Sequence, residues 1–131
     1  MILQVITPTK NFFNETIKSL AVDGEYGRLV ILPRHAPYVF AIGDGIIKIE
    51  TESGQRQLAD VMGAYAEVFE NKITLIADVA EWPDEIDTER AKNSKERAEQ
   101  RLKDGNSDRE RALKSLRRAE VRMKLSVYEN N

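Results

Sequence analysis

The change of pattern at Pro83 constrains this chain more than any other feature. Before it, apolar residues come in short, often alternating runs that Gly and Asn turns divide. After it, from Ile86, alternation stops, no glycine occurs until Gly105, and Ala, Glu, Lys, Arg and Leu dominate. The first pattern has the period of strands and the second the composition of helices. The chain is therefore expected to be α+β: an all-β sandwich or barrel over residues 1–82, then a helical region over 83–131.

The expected strands are 3–6, 17–22, 28–32, 38–42, 46–51, 55–59, 61–69 and 73–79. Turns are expected at 8–14, at Gly43-Asp44-Gly45, at Glu52-Ser53-Gly54 and at Glu70-Asn71-Lys72. Gly63 inside a strand suggests a bulge or a close approach. Gly24 and Gly27 suit a tight reversal that presents Glu25 and Tyr26 outward. Pro33 and Pro37 lack backbone donors, so their segment cannot sit centrally in a sheet.

In the second region Pro83 and Asp84 supply a helix start. Ala91, Ala98 and Leu102 form a narrow apolar stripe, and Asp104-Gly105-Asn106 is a stop with Gly105 placed for a left-handed cap. Ser107-Asp108-Arg109-Glu110 reads as a capping box opening a second helix, whose stripe is Ala112, Leu116, Ala119 and Met123. Two helices joined by a short turn form an antiparallel hairpin. Alanine offers little apolar area at roughly 25 cal/mol per Å², so the hairpin should be a weakly held appendage, releasable at a few kcal/mol.

Several function classes are excluded. No apolar run approaches the length of a membrane span, and residues 1–5 do not resemble a secretion signal. There is no cysteine, and His35 is the only histidine, which argues against a metal site. Basic residues after Pro83 are interleaved with acidic ones, which favours paired helices over nucleic-acid affinity. No G-x-x-x-x-G-K-(S/T) loop and no nucleophile–base pair is present, so the chain is not expected to be an enzyme or to hydrolyse ATP.

Gly24-Glu25-Tyr26-Gly27, then Ile31-Leu32-Pro33-Arg34-His35-Ala36-Pro37, then Gly45-Ile46-Ile47-Lys48-Ile49 resemble the epsilon subunit of F-type ATP synthases. The family commonly runs from the second glycine straight into I-L-P, whereas Arg28, Leu29 and Val30 intervene here. The resemblance extends to Ile86-Asp87-Thr88-Glu89-Arg90-Ala91, similar to the I-D-x-x-R-A motif of ATP-binding bacterial members, with Glu81 six residues before Asp87. It implies a flattened β-sandwich and a regulatory hairpin in a rotor subunit of the central stalk. That subunit couples proton translocation to ATP synthesis and restrains ATP hydrolysis. The implied partners are the gamma shaft subunit, the ring of c subunits and the alpha/beta catalytic head, with no nucleic acid and no membrane insertion. The implied location is peripheral, at the cytoplasmic face of the bacterial plasma membrane.

The same resemblance implies that Glu25 and Tyr26 touch the c ring and that His35 faces the shaft. As a general base or a metal ligand His35 lacks companions. The ATP-binding set it implies is Glu81, Ile86, Asp87, Arg90, Ala91, Arg97, Arg111, Arg118 and Arg122. ATP, with or without magnesium, would be a regulatory ligand, and no cofactor would be tightly bound. Spacing puts Arg111, Arg118 and Arg122 on one face of the second helix, and Arg90, Arg97 and Arg101 on one face of the first. Planar guanidiniums suit a triphosphate. Glu81 and Asp87 are left with three roles: accepting from an adenine amino group, accepting from a ribose, or orienting an arginine. The bland alternative is solvated arginines in i,i+4 pairs worth about 0.2–0.5 kcal/mol each. Trp82 is either a packing anchor or a linker residue. The competing function is a free-standing β-sandwich binding module with a helical dimerisation tail.

Overall fold

A computed structural model describes residues 1–105 and 108–128. Its strands are β1 (Ile2–Ile6), β2 (Asn11–Gly24), β3 (Gly27–Ile31), β4 (Tyr38–Thr51), β5 (Arg56–Phe69), β6 (Lys72–Ile76) and β7 (Val79–Glu81). They hydrogen-bond in the order β1-β6-β5-β4-β2-β3, β7 pairs with β5, and a further pairing of β1 with β2 closes the sheet on itself. Three strands of 14 residues serve both layers of the sandwich. The first half of β2 pairs with β1, and its second half with β3 and β4. β4 and β5 pair along nearly their whole length, and the late part of β5 also pairs with β6. Irregularities between Ile17 and Ser19 and between Ala41 and Gly45 let the long strands bend from one layer to the other. Leu3, Val5, Leu20, Ile47, Ile49, Val61, Ile73 and Leu75 are buried between the layers.

The bends explain where the expected strands differ from the observed ones. Gly43-Asp44-Gly45 is no turn but a bulge inside β4, with Gly43 at φ 69°. Residues 55–59 and 61–69 belong to one strand, and 73–79 divides into β6 and β7. The first turn is shorter than expected: Lys10 O accepts from Thr7 N–H at 2.9 Å, and β2 begins at Asn11. Other expectations hold. Gly24 pairs with Gly27, leaving Glu25-Tyr26 as a two-residue loop, and β3 pairs with β2 at the sheet edge before Pro33. Glu70 and Asn71 form the β5–β6 reversal with positive φ at both positions.

The linker is anchored. Trp82 stacks on Phe12 with centroids 4.4 Å apart and meets Phe13 edge-on at 6.2 Å. Pro83 opens a 3-10 turn (Pro83–Glu85), not the helix, and the Glu85 carboxylate accepts the Trp82 N–H at 2.9 Å. Helix α1 (Thr88–Asp104) starts later, where Asp87 accepts the Arg90 N–H at 3.0 Å. Gly105 caps it in the left-handed region at φ 68°. Helix α2 (Arg109–Ser126) is capped by Asp108, which accepts the Arg111 N–H at 3.2 Å. Asp108 thus takes the capping position expected of Ser107, which with Asn106 lies outside the described residues.

The helices meet along an alanine seam: Ala91 and Ala98 of α1, Ala112 and Ala119 of α2 are buried. α1 packs on α2, and it is α2 that reaches β4, β5 and the 3-10 turn. Such a seam removes little apolar area from water. In native-state hydrogen exchange, α1 amides are expected to exchange at a lower opening free energy than those of β4 and β5. Equal protection in both regions would contradict the weak seam.

Candidate functional site

Charge, more than apolar burial, fastens α2 to the sandwich. Asp44, in the β4 bulge, has a side chain only 2% exposed. Its Oδ1 accepts the Gly63 N–H at 2.9 Å, and its Oδ2 accepts from Arg118 Nε at 3.2 Å and Arg117 Nε at 3.3 Å. Gly63 sits at φ 60°, the conformation its β5 position requires. Burial alone would raise the Asp44 carboxyl, but the Gly63 N–H and the two guanidiniums outweigh it and hold the group below its ordinary range. Arg117 also lies 3.4 Å from Glu25 Oε1, and Arg122 Nε donates to Glu81 Oε1 at 2.8 Å. Leu125 is the one fully buried side chain larger than alanine that α2 contributes.

Between the helices opens a cleft of about 280 Å³, lined by Arg90, Ala91, Ser94, Arg97, Ala98, Arg101, Ser115, Arg118, Ala119 and Arg122. A second space of about 300 Å³ continues it through Arg90, Ala91, Ser94 and Arg122 to Glu81, Glu85 and Asp87. The combined cleft is cationic at one end and acidic at the other. Among the described residues no ion pair engages the guanidinium of Arg90, Arg97 or Arg101, whereas Arg118 and Arg122 are shared with Asp44 and Glu81. Five guanidiniums around one space repel one another and favour an anion among them. Ser94 and Ser115 add hydroxyl donors that sequence reasoning missed, although Ser94 is four residues after Arg90 and Ser115 three before Arg118.

Of the ATP-binding residues expected from sequence, Glu81, Asp87, Arg90, Ala91, Arg97, Arg118 and Arg122 thus meet around one cleft. Arg111 does not join them: it lines a separate hollow with Arg101 and Asp108 at the hairpin tip. Ile86 ends the 3-10 turn, its N–H donating to Pro83 O at 3.3 Å, and lines neither space.

The surface positions behave differently from one another. Tyr26 is 69% exposed, as expected. Glu25 is not simply outward: its carboxylate turns back to accept the Asp44 N–H at 3.3 Å beside Arg117. His35 is half-buried, its Nδ1 donates to Ala36 O at 2.7 Å, and its ring meets Tyr38 edge-on at 6.0 Å. Arg34, at φ 68°, ties this corner to the β5–β6 turn by donating its N–H to Asn71 Oδ1 at 3.1 Å. Sequence reasoning also missed a group of exposed apolar side chains on the outer face of the sandwich, interleaved with Glu67 and Lys72. Tyr65 and Ile76 face each other in register there, with Val39, Phe69 and Ile2 nearby and exposed. The signal was available as the outward positions of strands whose inward positions are also apolar.

Asp44→Asn is expected to weaken α2 docking by about 1.5–3 kcal/mol, the range for hydrogen bonds to charged groups. Because the docked carboxyl is held low, its stabilisation is present above the ordinary carboxylate range and disappears as pH falls through the lowered value. The variant should lack that loss on the acid side. The chain has no cysteine, so labels on Glu52→Cys and Lys114→Cys report docking by energy transfer, and the urea midpoint for release measures it. An unchanged midpoint would remove Asp44 from its central position.

Comparison with known proteins agrees with this geometry. Residues 1–83 match the family model "ATP synthase, Delta/Epsilon chain, beta-sandwich domain", and 84–126 match its long alpha-helix domain. An ATP synthase epsilon chain of Desulforamulus reducens is 42% identical over 106 residues, 81% of this chain and 80% of that one. One from Pelotomaculum thermopropionicum is 39% identical over 100 residues, 76% and 74% of the two chains. In structure, a chain of the Euglena gracilis mitochondrial ATP synthase (OSCP/F1/c-ring) superposes with a TM-score of 0.82 at 21% identity, covering 98% of this chain and 81% of that one. A chain from the Tetrahymena thermophila central stalk and c ring gives 0.62 at 17%, covering 96% of each. A sandwich matched from end to end, a hairpin matched after it and relatives near 40% identity make this chain a member of the ATP synthase delta/epsilon family, an epsilon chain and so a non-catalytic subunit of the synthase.

Proposed function

We propose that this epsilon chain is a central-stalk rotor subunit whose hairpin senses ATP and restrains ATP hydrolysis. The sandwich contacts the gamma shaft and the c ring, and the hairpin, when released, reaches the alpha/beta head. The subunit sits peripherally at the cytoplasmic face of the bacterial plasma membrane, and proton translocation is coupled to synthesis through it. Among the described residues no helix is long and apolar enough to cross a membrane. The exposed apolar side chains Val39, Tyr65 and Ile76 on the outer face of the sandwich suit the shaft contact, and exposed Tyr26 suits the ring contact.

The observation that carries the nucleotide reading is the polarity of the interhelix cleft. Arg97, Arg101 and Arg118 surround its cationic end, and Glu81, Glu85 and Asp87 the other. A triphosphate fits the first. A donor-bearing base or sugar fits the second, beside Arg90 and Arg122. ATP in this place bridges both helices, so it stabilises the folded, docked hairpin against release. Asp87 has a second role as the N-cap of α1.

The test is calorimetric titration of the whole chain with ATP, beside an Arg90→Ala/Arg97→Ala variant. These two arginines engage no ion pair among the described residues, so the variant alters the cleft and leaves the clasp of α2 intact. Saturable binding, weakened at least about tenfold in the variant, is expected, since a hydrogen bond to a charged group contributes about 1.5–3 kcal/mol. Absence of binding at millimolar ATP would refute nucleotide sensing and leave the family membership intact.

A further inference from the structure

One buried acid lies outside the clasp and the cleft. Along β5 the side chains alternate: Ala59 and Val61 enter the core of the sandwich, whereas Asp60 and Met62 point to the opposite side. Both are nonetheless 0% exposed. The helical elements packed against β5 are α2 and the 3-10 turn, and α2 comes close through Arg122, which donates to Glu81, the pairing partner of Asp60. Neither carboxyl oxygen of Asp60 has a hydrogen-bond partner among the described residues. An ionised carboxylate in that position would be buried with too little nearby positive charge to offset the cost, since Arg122 is engaged by Glu81.

The charged groups around Asp60 come from few elements. From β7, Glu81 stands directly across the pairing, and from α2, Arg122 comes in but is held by Glu81 at 2.8 Å. From β4 the register neighbour is apolar Ile46, and the acid of that strand, Asp44, is already engaged by Arg117 and Arg118. Arg118 also lies 4.0 Å from Asp78. In the 3-10 turn, Glu85 pairs with Lys10 at 3.5 Å. From α1, Arg90 and Asp87 share the acidic end of the cleft with Glu81. The one nearby cation is therefore divided between two acids, and Glu81 takes it.

We propose that Asp60 is a proton-linked latch: it holds a proton while α2 is docked and gives it up when α2 leaves, so that rising pH releases the hairpin. This deepens the proposed function by naming a regulator of the same movement, and it rests on the hairpin leaving the sandwich. Burial, and then the negative charge of Glu81, push the docked Asp60 carboxyl up to about 9. Release returns it to water, toward the ordinary value of about 4. A carboxyl raised in the docked state favours docking at low pH and opposes it as pH rises. With one proton involved, the docking constant falls by at most about tenfold per pH unit. Asp44 acts in the opposite sense and only on the acid side, so the two effects separate along the pH axis.

The experiment follows the urea midpoint for hairpin release in the labelled full-length chain (Glu52→Cys, Lys114→Cys) between pH 6 and pH 9. The midpoint should fall with rising pH in the parent and stay level in Asp60→Asn, which keeps the shape and the neutral charge of the protonated acid. A level parent midpoint, or an equal fall in both proteins, overturns the latch. A second measurement needs no variant: the carbon-13 shift of the Asp60 carboxyl in the full chain, titrated over pH 3 to 10. A midpoint well above the other aspartates supports the latch, and one near 4 overturns it. Neither readout uses ATP, so failure of nucleotide binding and failure of the latch are distinguishable.

Discussion

The carboxylate of Asp44 joins the three parts of this molecule. One oxygen takes the Gly63 N–H and so locks the β4 bulge to β5, while the other receives two arginines of α2. The bulge turns Asp44 inward, and without the helix its carboxylate would keep only the Gly63 N–H there. The helix in turn brings only Leu125 as a fully buried side chain larger than alanine. Docking of the hairpin is thus an electrostatic event at the edge of a well-packed sandwich. Ion pairs of this kind, partly desolvated and partly exposed, are strong enough to hold one arrangement and weak enough to exchange it for another.

Much of the fold was legible because two periods do not mix. Alternation before Pro83 and helix formers after it separated the sandwich from the hairpin, and Gly105 and the alanine stripes located the helix end and the seam. The long strands were less legible. β2, β4 and β5 each bend at an irregularity, and a bend looks like a turn when glycines flank it, as at Gly43-Asp44-Gly45. The local residues prefer a reversal, but pairing on both sides keeps the strand continuous. Pro83 misled in a smaller way, since its fixed φ suits a 3-10 turn as well as a first helical turn.

The candidate site divides along the same line. Arg90, Arg97, Arg118 and Arg122 were legible because helical spacing places them on facing surfaces. Arg111 shares that spacing, yet it lies at the far tip, because a face of a helix is long and a cleft covers only part of it. Asp44 and Asp60 were illegible for a different reason. Each is a single acid whose meaning comes from what α2 lays over it. Asp60 even fell between two expected strands, at a position where the real β5 is unbroken.

The alanine seam and the arginine rows belong to one design. Small residues bring the helices close, which brings the guanidiniums close, and their mutual repulsion opposes closure of the hairpin that carries them. Asp44 and Glu81 relieve that repulsion for Arg117, Arg118 and Arg122 from the side of the sandwich. Arg90, Arg97 and Arg101 have no such relief within the described residues. Their charge is left for a ligand to balance. An anion that enters the cleft therefore favours the closed, docked hairpin by the repulsion it removes as well as by the contacts it makes. It favours the released state by neither, because there the two rows no longer face each other. A ligand shifts an equilibrium only through such a difference in affinity between states. Here the difference arises from arginines held in place by a seam too weak to hold them alone.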